Sequence, residues 1–263
     1  MSGMSASRSI AAVALPPVVA AIAALALWEG AARALAIPAY LLPPPSAVAS
    51  AAVSDAPALA GACMTTAFAS VIGFLASALV GIAVAIGLSS SRVVERGLYP
   101  YAVALQTVPI VAIAPLLVLW CGAGPRAVAA SAFIVSVFPV ITNSLAGIRA
   151  VDPALRDLFT LYGASRSQVL FKLELAHAAP QIATGLRVAC GLAVIGAIVG
   201  EFVAGFSEGS PGLGILVMTS YRQLRTDLLF AAVGCSALLG IVMFGVVSGA
   251  SSLLLRRWYV AAR

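Results

Sequence analysis

Between Asp55 and Arg92 the chain runs for thirty-six residues without a charged side chain. A helix needs about 20 predominantly apolar residues to cross the hydrocarbon layer of a bilayer, so this run is longer than one crossing requires. Four more charge-free runs cover residues 10 to 28, 97 to 125, 127 to 148 and 228 to 255. A sixth apolar stretch, roughly 182 to 206, holds Arg187 near one end, where a long side chain can snorkel to the interface, and Glu201 near the other. Hydrophobic residues make up 62% of the chain and charged ones 9%, whereas a soluble domain carries about 25% charged residues. Such a chain cannot cover itself with polar groups, and lipid is its expected solvent. The expected fold is an all-α integral membrane protein, a single domain over residues 1 to 263. Its six spans are expected near 10–28, 64–90, 98–120, 127–148, 182–206 and 228–255.

Lysine and arginine are retained on the cytoplasmic side of a membrane. With the N-terminus inside, Arg8, Arg92, Arg96, Arg149, Arg156, Arg166, Lys172, Arg187, Arg256, Arg257 and Arg263 fall on that side. Only Arg33, Arg126, Arg222 and Arg225 fall outside, so both termini are expected to be cytoplasmic. This asymmetry accounts for the net charge of +6, and no basic groove calls for a nucleic-acid partner. The run from Ile10 to Trp28 is longer than the apolar core of a secretion signal. Pro16 and Pro17 should bend or delay the first helix. Cys63, Cys121, Cys190 and Cys235 stand singly in apolar surroundings, and His177 has no second ligand nearby in the sequence, so no metal site is expected.

The one long stretch dense in charge, residues 149 to 181, lies on the expected cytoplasmic side. Asp152 before Pro153 is an N-cap followed by proline at the first helical position, and Asp152 and Arg156 are spaced as an i,i+4 pair. That helix should stop at Gly163, because Ser165-Arg166-Ser167-Gln168 has the form of a capping box that opens a second helix. Val169, Leu170, Leu173 and His177 then share a face until Pro180 ends or kinks the run. A helix-turn-helix outside the lipid, with an apolar face, suits a docking surface for a cytoplasmic partner better than a plain connector.

These residues resemble the permease subunits of type I ATP-binding-cassette importers, in the nitrate, sulfonate and taurine branch. The family signature reads EAA, three residues, Gly, nine residues, then I-x-L-P. Here Asp157-Leu158-Phe159, Gly163 and Leu173-x-Leu175-Ala176 keep that spacing with altered letters, and Gly163-Ala164-Ser165-Arg166 is as the family has it. Similar stretches run from Leu42-Pro43-Pro44-Pro45-Ser46 through Val108-Pro109, Ala114-Pro115-Leu116, Trp120, Gly122 and Gly124 to Phe138-Pro139, Asn143 and Gly147. Glu201-Phe202, Gly212-Leu213-Gly214 and Arg257-Trp258 complete the set. The resemblance implies a location in the bacterial inner membrane. It also implies two ATPase subunits carrying ATP and magnesium, a second permease subunit forming a homodimer, and a periplasmic or lipid-anchored substrate-binding protein. The solute would be a small anion such as a sulfonate, taurine, nitrate or bicarbonate, or a vitamin precursor.

No G-x-x-x-x-G-K-[ST] loop occurs, so the chain is expected to be a non-enzymatic subunit that binds no cofactor of its own. Within the resemblance, Gly163 would provide the turn of the coupling loop, and Leu158, Phe159, Tyr162, Val169 and Leu173 its apolar contacts. Asp157, Ala164, Ser165 and Arg166 complete the expected coupling set. Polar groups are costly to leave in lipid, which makes Gln106, Thr107, Ser136, Thr142, Asn143 and Glu201 the candidates to line a pathway. Serine and threonine also bond back to their own helix, and Glu201 could instead pair with Arg222 or Arg225. Pro109 and Pro115 should bend the third span. Gly196-x-x-x-Gly200 should pack helices within one subunit, and the outer loop from Phe206 to Asp227 should form a short re-entrant or surface turn. An ion-coupled secondary transporter is the main alternative, and a channel is another.

Overall fold

A computed structural model describes residues 6–204 and 211–259. The chain termini and the first part of the outer loop, Phe206 to Ser210 with Gly209, lie outside the described residues. Among the described residues the regular structure is entirely helical: α1 Ala6–Ala34, α2 Pro45–Ser54, α3 Ala56–Ser89, α4 Arg92–Thr107, α5 Ile110–Cys121, α6 Pro125–Arg149, α7 Pro153–Leu161, α8 Arg166–Val169, a π-turn Leu170–Glu174, α9 Leu175–Ala204, α10 Leu213–Arg222 and α11 Thr226–Tyr259.

Helices α3, α6 and α9 form the centre, and small residues let their backbones approach. A β-carbon at Gly73 would stand 2.5 Å from that of Ala132, and one at Gly200 would stand 2.8 Å from the Ser131 β-carbon. Gly196 likewise lies against the Ala132 backbone, so the Gly196-x-x-x-Gly200 pair packs α9 on α6 inside one subunit. In lipid no hydrophobic force drives helices together, which makes this close van der Waals contact the main cohesion. A buried hydrogen bond adds to it: the hydroxyls of Ser136 on α6 and Ser77 on α3 stand 2.9 Å apart. Helix α11 covers the outside of the trio, where Leu228, Ala231, Ala232, Leu239 and Met243 meet Leu59, Ala62, Cys190 and Val194.

Several expectations from the sequence need correction. The third span, expected over 98 to 120, is broken into α4 and α5 at Val108-Pro109. Proline disfavours helical backbone in the residue before it and lacks an N–H, so α4 ends at Thr107 and Pro109 stands at the N-cap of α5. Pro115 lies inside α5 without interrupting it, and Pro16 and Pro17 do not delay α1. The second expected span begins earlier, at Ala56. Pro180 does not end the loop helix either, because the chain stays helical from Arg166 to Ala204 across the π-turn. That π-turn inserts a residue into the helical register, so the expected common face dissolves. Val169, Leu170 and Leu173 are half-buried, His177 is exposed, and Ala178 is the residue that packs inward. The described part of the outer loop holds a ten-residue helix, α10, which packs on α3, α9 and α11. Cys121 is exposed at the end of α5, whereas Cys190 is buried.

Candidate functional site

The hairpin between α6 and α9 is built by local chemistry. The Asp152 carboxylate accepts the Ala154 N–H at 2.9 Å and starts α7. The helix stops at Gly163, whose φ of +72° a β-carbon would disfavour. Gly163 N–H reaches the Thr160 carbonyl at 3.0 Å, and Ala164 N–H reaches that of Phe159 at 3.0 Å. These are the paired bonds of a Schellman stop. Ser165 then caps α8 reciprocally, its N–H donating to the Gln168 side chain at 2.7 Å and its hydroxyl accepting the Gln168 N–H at 3.3 Å.

Arginines tie this hairpin to the bundle. Arg156 donates to the Ile148 carbonyl at 2.8 Å and lies 2.9 Å from the Glu174 carboxylate. Its expected partner Asp152 is already occupied as the N-cap, so the local i,i+4 pair gives way to a bridge from α7 to the π-turn. Arg166 donates to the Ser90 carbonyl just beyond α3, and Arg149 pairs with Glu95 of α4 at 2.5 Å. The hairpin is thus fastened to the end of α6, to the turn after α3 and to the π-turn that leads into α9, while the Arg149–Glu95 pair joins α6 to α4.

On its outer side the hairpin is apolar and unpartnered among the described residues. Leu161 is 84% exposed and Tyr162 83%, with Leu158 and Phe171 also largely open. A cleft of about 410 Å³ is lined by Leu158, Phe159, Tyr162, Gly163, Ala164, Gln168 and Lys172. Five of the ten expected coupling residues thus meet in one recess. Asp157, Ser165 and Arg166 lie on the exposed surface outside it, and Val169 and Leu173 are half-buried. Leu161 and Phe171 were missed, although Leu161 follows from the helical spacing of Leu155, Leu158 and Tyr162.

The candidate pathway residues separate into three groups. Gln106 and Thr107 are exposed where α4 breaks, and the Thr107 hydroxyl donates to the Ala104 carbonyl at 2.7 Å. Thr142 and Asn143 are half-buried on α6 and bond back to their own helix, Asn143 to the Pro139 carbonyl at 2.8 Å. Ser136 is fully buried between α3 and α6.

Glu201 is 3% exposed and pairs with neither Arg222 nor Arg225. It accepts the Thr66 hydroxyl at 2.7 Å and the Gly214 N–H at 2.6 Å, while Thr66 accepts the Leu213 N–H at 2.8 Å. The carboxylate therefore caps the first turn of α10 and satisfies donors that a helix start leaves free. Gly214 is needed for the approach, since a β-carbon there would stand 2.6 Å from the Ile198 carbonyl oxygen. Arg225 pairs instead with Asp55 at 2.6 Å. Thr66 and Asp55 had no signal in the sequence, because each meets its partner only through tertiary packing.

The molecule is an all-helical bundle with several helices long and apolar enough to cross a membrane, and with a capped hairpin held outside it, as in a multi-pass membrane protein. The family model described as binding-protein-dependent transport system inner membrane component matches residues 77–258, and the chain belongs to that family. It is 31% identical over 243 residues to the formylaminopyrimidine transport permease protein ThiX of Halalkalibacterium halodurans, covering 92% of this chain and 95% of that one. It is 30% identical over 172 residues to the taurine transport system permease protein TauC of Escherichia coli, covering 65% and 61%. Among solved structures, the inward-facing MetNI methionine ABC transporter superposes with a TM-score of 0.64 at 14% identity, covering 78% of this chain and 98% of that one. At that identity the likeness speaks for the fold. The chain is thus a membrane-spanning permease subunit of an ATP-binding-cassette importer, as the resemblance implied.

Proposed function

We propose that the α7–α8 hairpin is the handle by which a separate ATPase subunit moves this permease. The observation that carries the reading is the exposed apolar recess around Leu158 and Tyr162, mounted on a hairpin that Arg156 and Arg166 fasten to the bundle. Burying such a surface against a partner is favourable by about 25 cal/mol per Å² of apolar area. The anchors turn the partner's motion into rigid-body movement of whole helices. ATP and magnesium belong to that partner, and two such ATPases work on two copies of this chain. The hairpin and both termini face the cytoplasm, and a substrate-binding protein delivers solute on the opposite side, near α10. The importer alternates access between the two sides.

Gln106 and Thr107 are assigned to the pathway, since broken backbone at membrane depth is tolerated only against protein or a water-filled cavity. Thr142 and Asn143 are secondary candidates. Glu201 is left out of this set, because its carboxylate is engaged by Thr66 and the first turn of α10. The solute is small, within the range of formylaminopyrimidine, taurine and aliphatic sulfonates that the relatives' names cover. Replacing Leu158 and Tyr162 together by Asp should abolish ATP-dependent uptake in proteoliposomes, with membrane insertion unchanged. Uptake at the wild-type rate would refute the handle.

A further inference from the structure

The start of α4, the end of α6 and the start of α7 meet around a second pocket, of about 530 Å³, lined by Arg92, Glu95, Arg96, Arg149, Asp152 and Arg156 among others. Four guanidinium groups face two carboxylates there, and both carboxylates are already committed. Glu95 pairs with Arg149 at 2.5 Å, and Asp152 caps α7 at 2.9 Å. Arg156 is held by Glu174, outside this group. Among the described residues no carboxylate pairs with Arg92 or Arg96, and the Nε of Arg149 is buried without an acceptor. The pocket therefore has spare positive charge and an unused N–H donor, which suits a phosphate group.

We propose that this pocket binds the phosphate of an anionic lipid headgroup. Its level in the membrane favours lipid over a dissolved ion. The uncharged stretches of α3 and α6 end at this height, so the pocket stands where hydrocarbon gives way to water. From the same rim α4 exposes Val93 (80%), Leu98 (56%) and Tyr101 (72%), an apolar strip with an interfacial tyrosine on which acyl chains can lie. The occupant would bridge α4 to Arg149, next to the start of the hairpin. The site is independent of the ATPase reading, because its ligand is lipid whether or not α7 docks a partner.

The test uses the full chain, with any co-purifying subunits, in nanodiscs of phosphatidylcholine titrated with phosphatidylglycerol, and counts retained phosphatidylglycerol by native mass spectrometry. Arg92→Ala with Arg96→Ala should weaken phosphatidylglycerol binding by about 30-fold, equivalent to about 1 kcal/mol for each arginine. The Lys/Lys pair and each single Ala variant should retain an intermediate affinity, which separates lost charge from lost fold. Inorganic phosphate added to phosphatidylcholine discs should neither stabilise the protein nor displace phosphatidylglycerol. Equal phosphatidylglycerol retention in wild type and the double Ala variant would overturn the proposal. Saturation by free phosphate would also overturn it, as would loss of a co-purifying subunit with lipid retention unchanged.

Discussion

Thr66 uses both hydrogen-bonding capacities of its hydroxyl at once, donating to Glu201 and accepting from Leu213, and so closes a buried network among α3, α9 and α10. Thr66→Val should strand a carboxylate oxygen and a backbone N–H, at a cost of about 2 to 4 kcal/mol. The readout is the thermal unfolding midpoint in detergent, and a midpoint within error of wild type would contradict the network's role. A second residue-scale prediction concerns Asp55, at the junction of α2 and α3 outside the expected spans. The Arg225 guanidinium, hydrogen-bonded to it, holds its carboxyl below the ordinary value of 3.8. Because the folded value is the lower one, the stabilisation is fully present above the ordinary value and is lost as pH falls through the folded one. The stability difference between wild type and Asp55→Asn should thus be flat from neutral pH down to about pH 5 and close below about pH 4. Neither partner choice could be read in the sequence. The local cap at Asp152 and the box at Ser165 could be, because their partners lie within three residues.

Among the elements, close contact between α6 and α9 depends on residues with no side chain to interpose. Gly196→Leu should prevent accumulation of folded protein, since its β-carbon alone would stand 2.8 Å from the Ala132 backbone. Normal yield with native-like protease resistance would show that the seam is looser than described. The break between α4 and α5 was legible as a bend in Val108-Pro109, because proline acts on its own neighbours. The π-turn at Leu170–Glu174 was not legible, as no residue type demands it and the pull of Glu174 toward Arg156 is tertiary. Missing it put His177 on the wrong face. The continuity of the helix past Pro180 was hidden for a similar reason, since neighbouring helices decide whether a proline ends a membrane helix.

For the molecule as a whole, the proposed function divides the labour between two proteins: this chain supplies the membrane helices, and a separate ATPase supplies the energy through the hairpin. The purified chain should show no ATP hydrolysis, and turnover without a co-purified ATPase would contradict the division. Apolar run lengths made the bundle legible, and the caps at Asp152 and Ser165 made the hairpin legible. The small-residue seams that decide which helices touch remained hidden, because alanine and glycine are common everywhere in such a chain. The central claim is that the hairpin faces the cell interior and is gripped there. The direct measurement places a single cysteine at Leu161, 84% exposed on the hairpin, in a chain whose four native cysteines are replaced. In intact cells this cysteine should resist a membrane-impermeant maleimide, and in inside-out vesicles it should cross-link to an ATPase subunit with an ATP-dependent yield. Labelling of Leu161→Cys from outside intact cells would contradict the account.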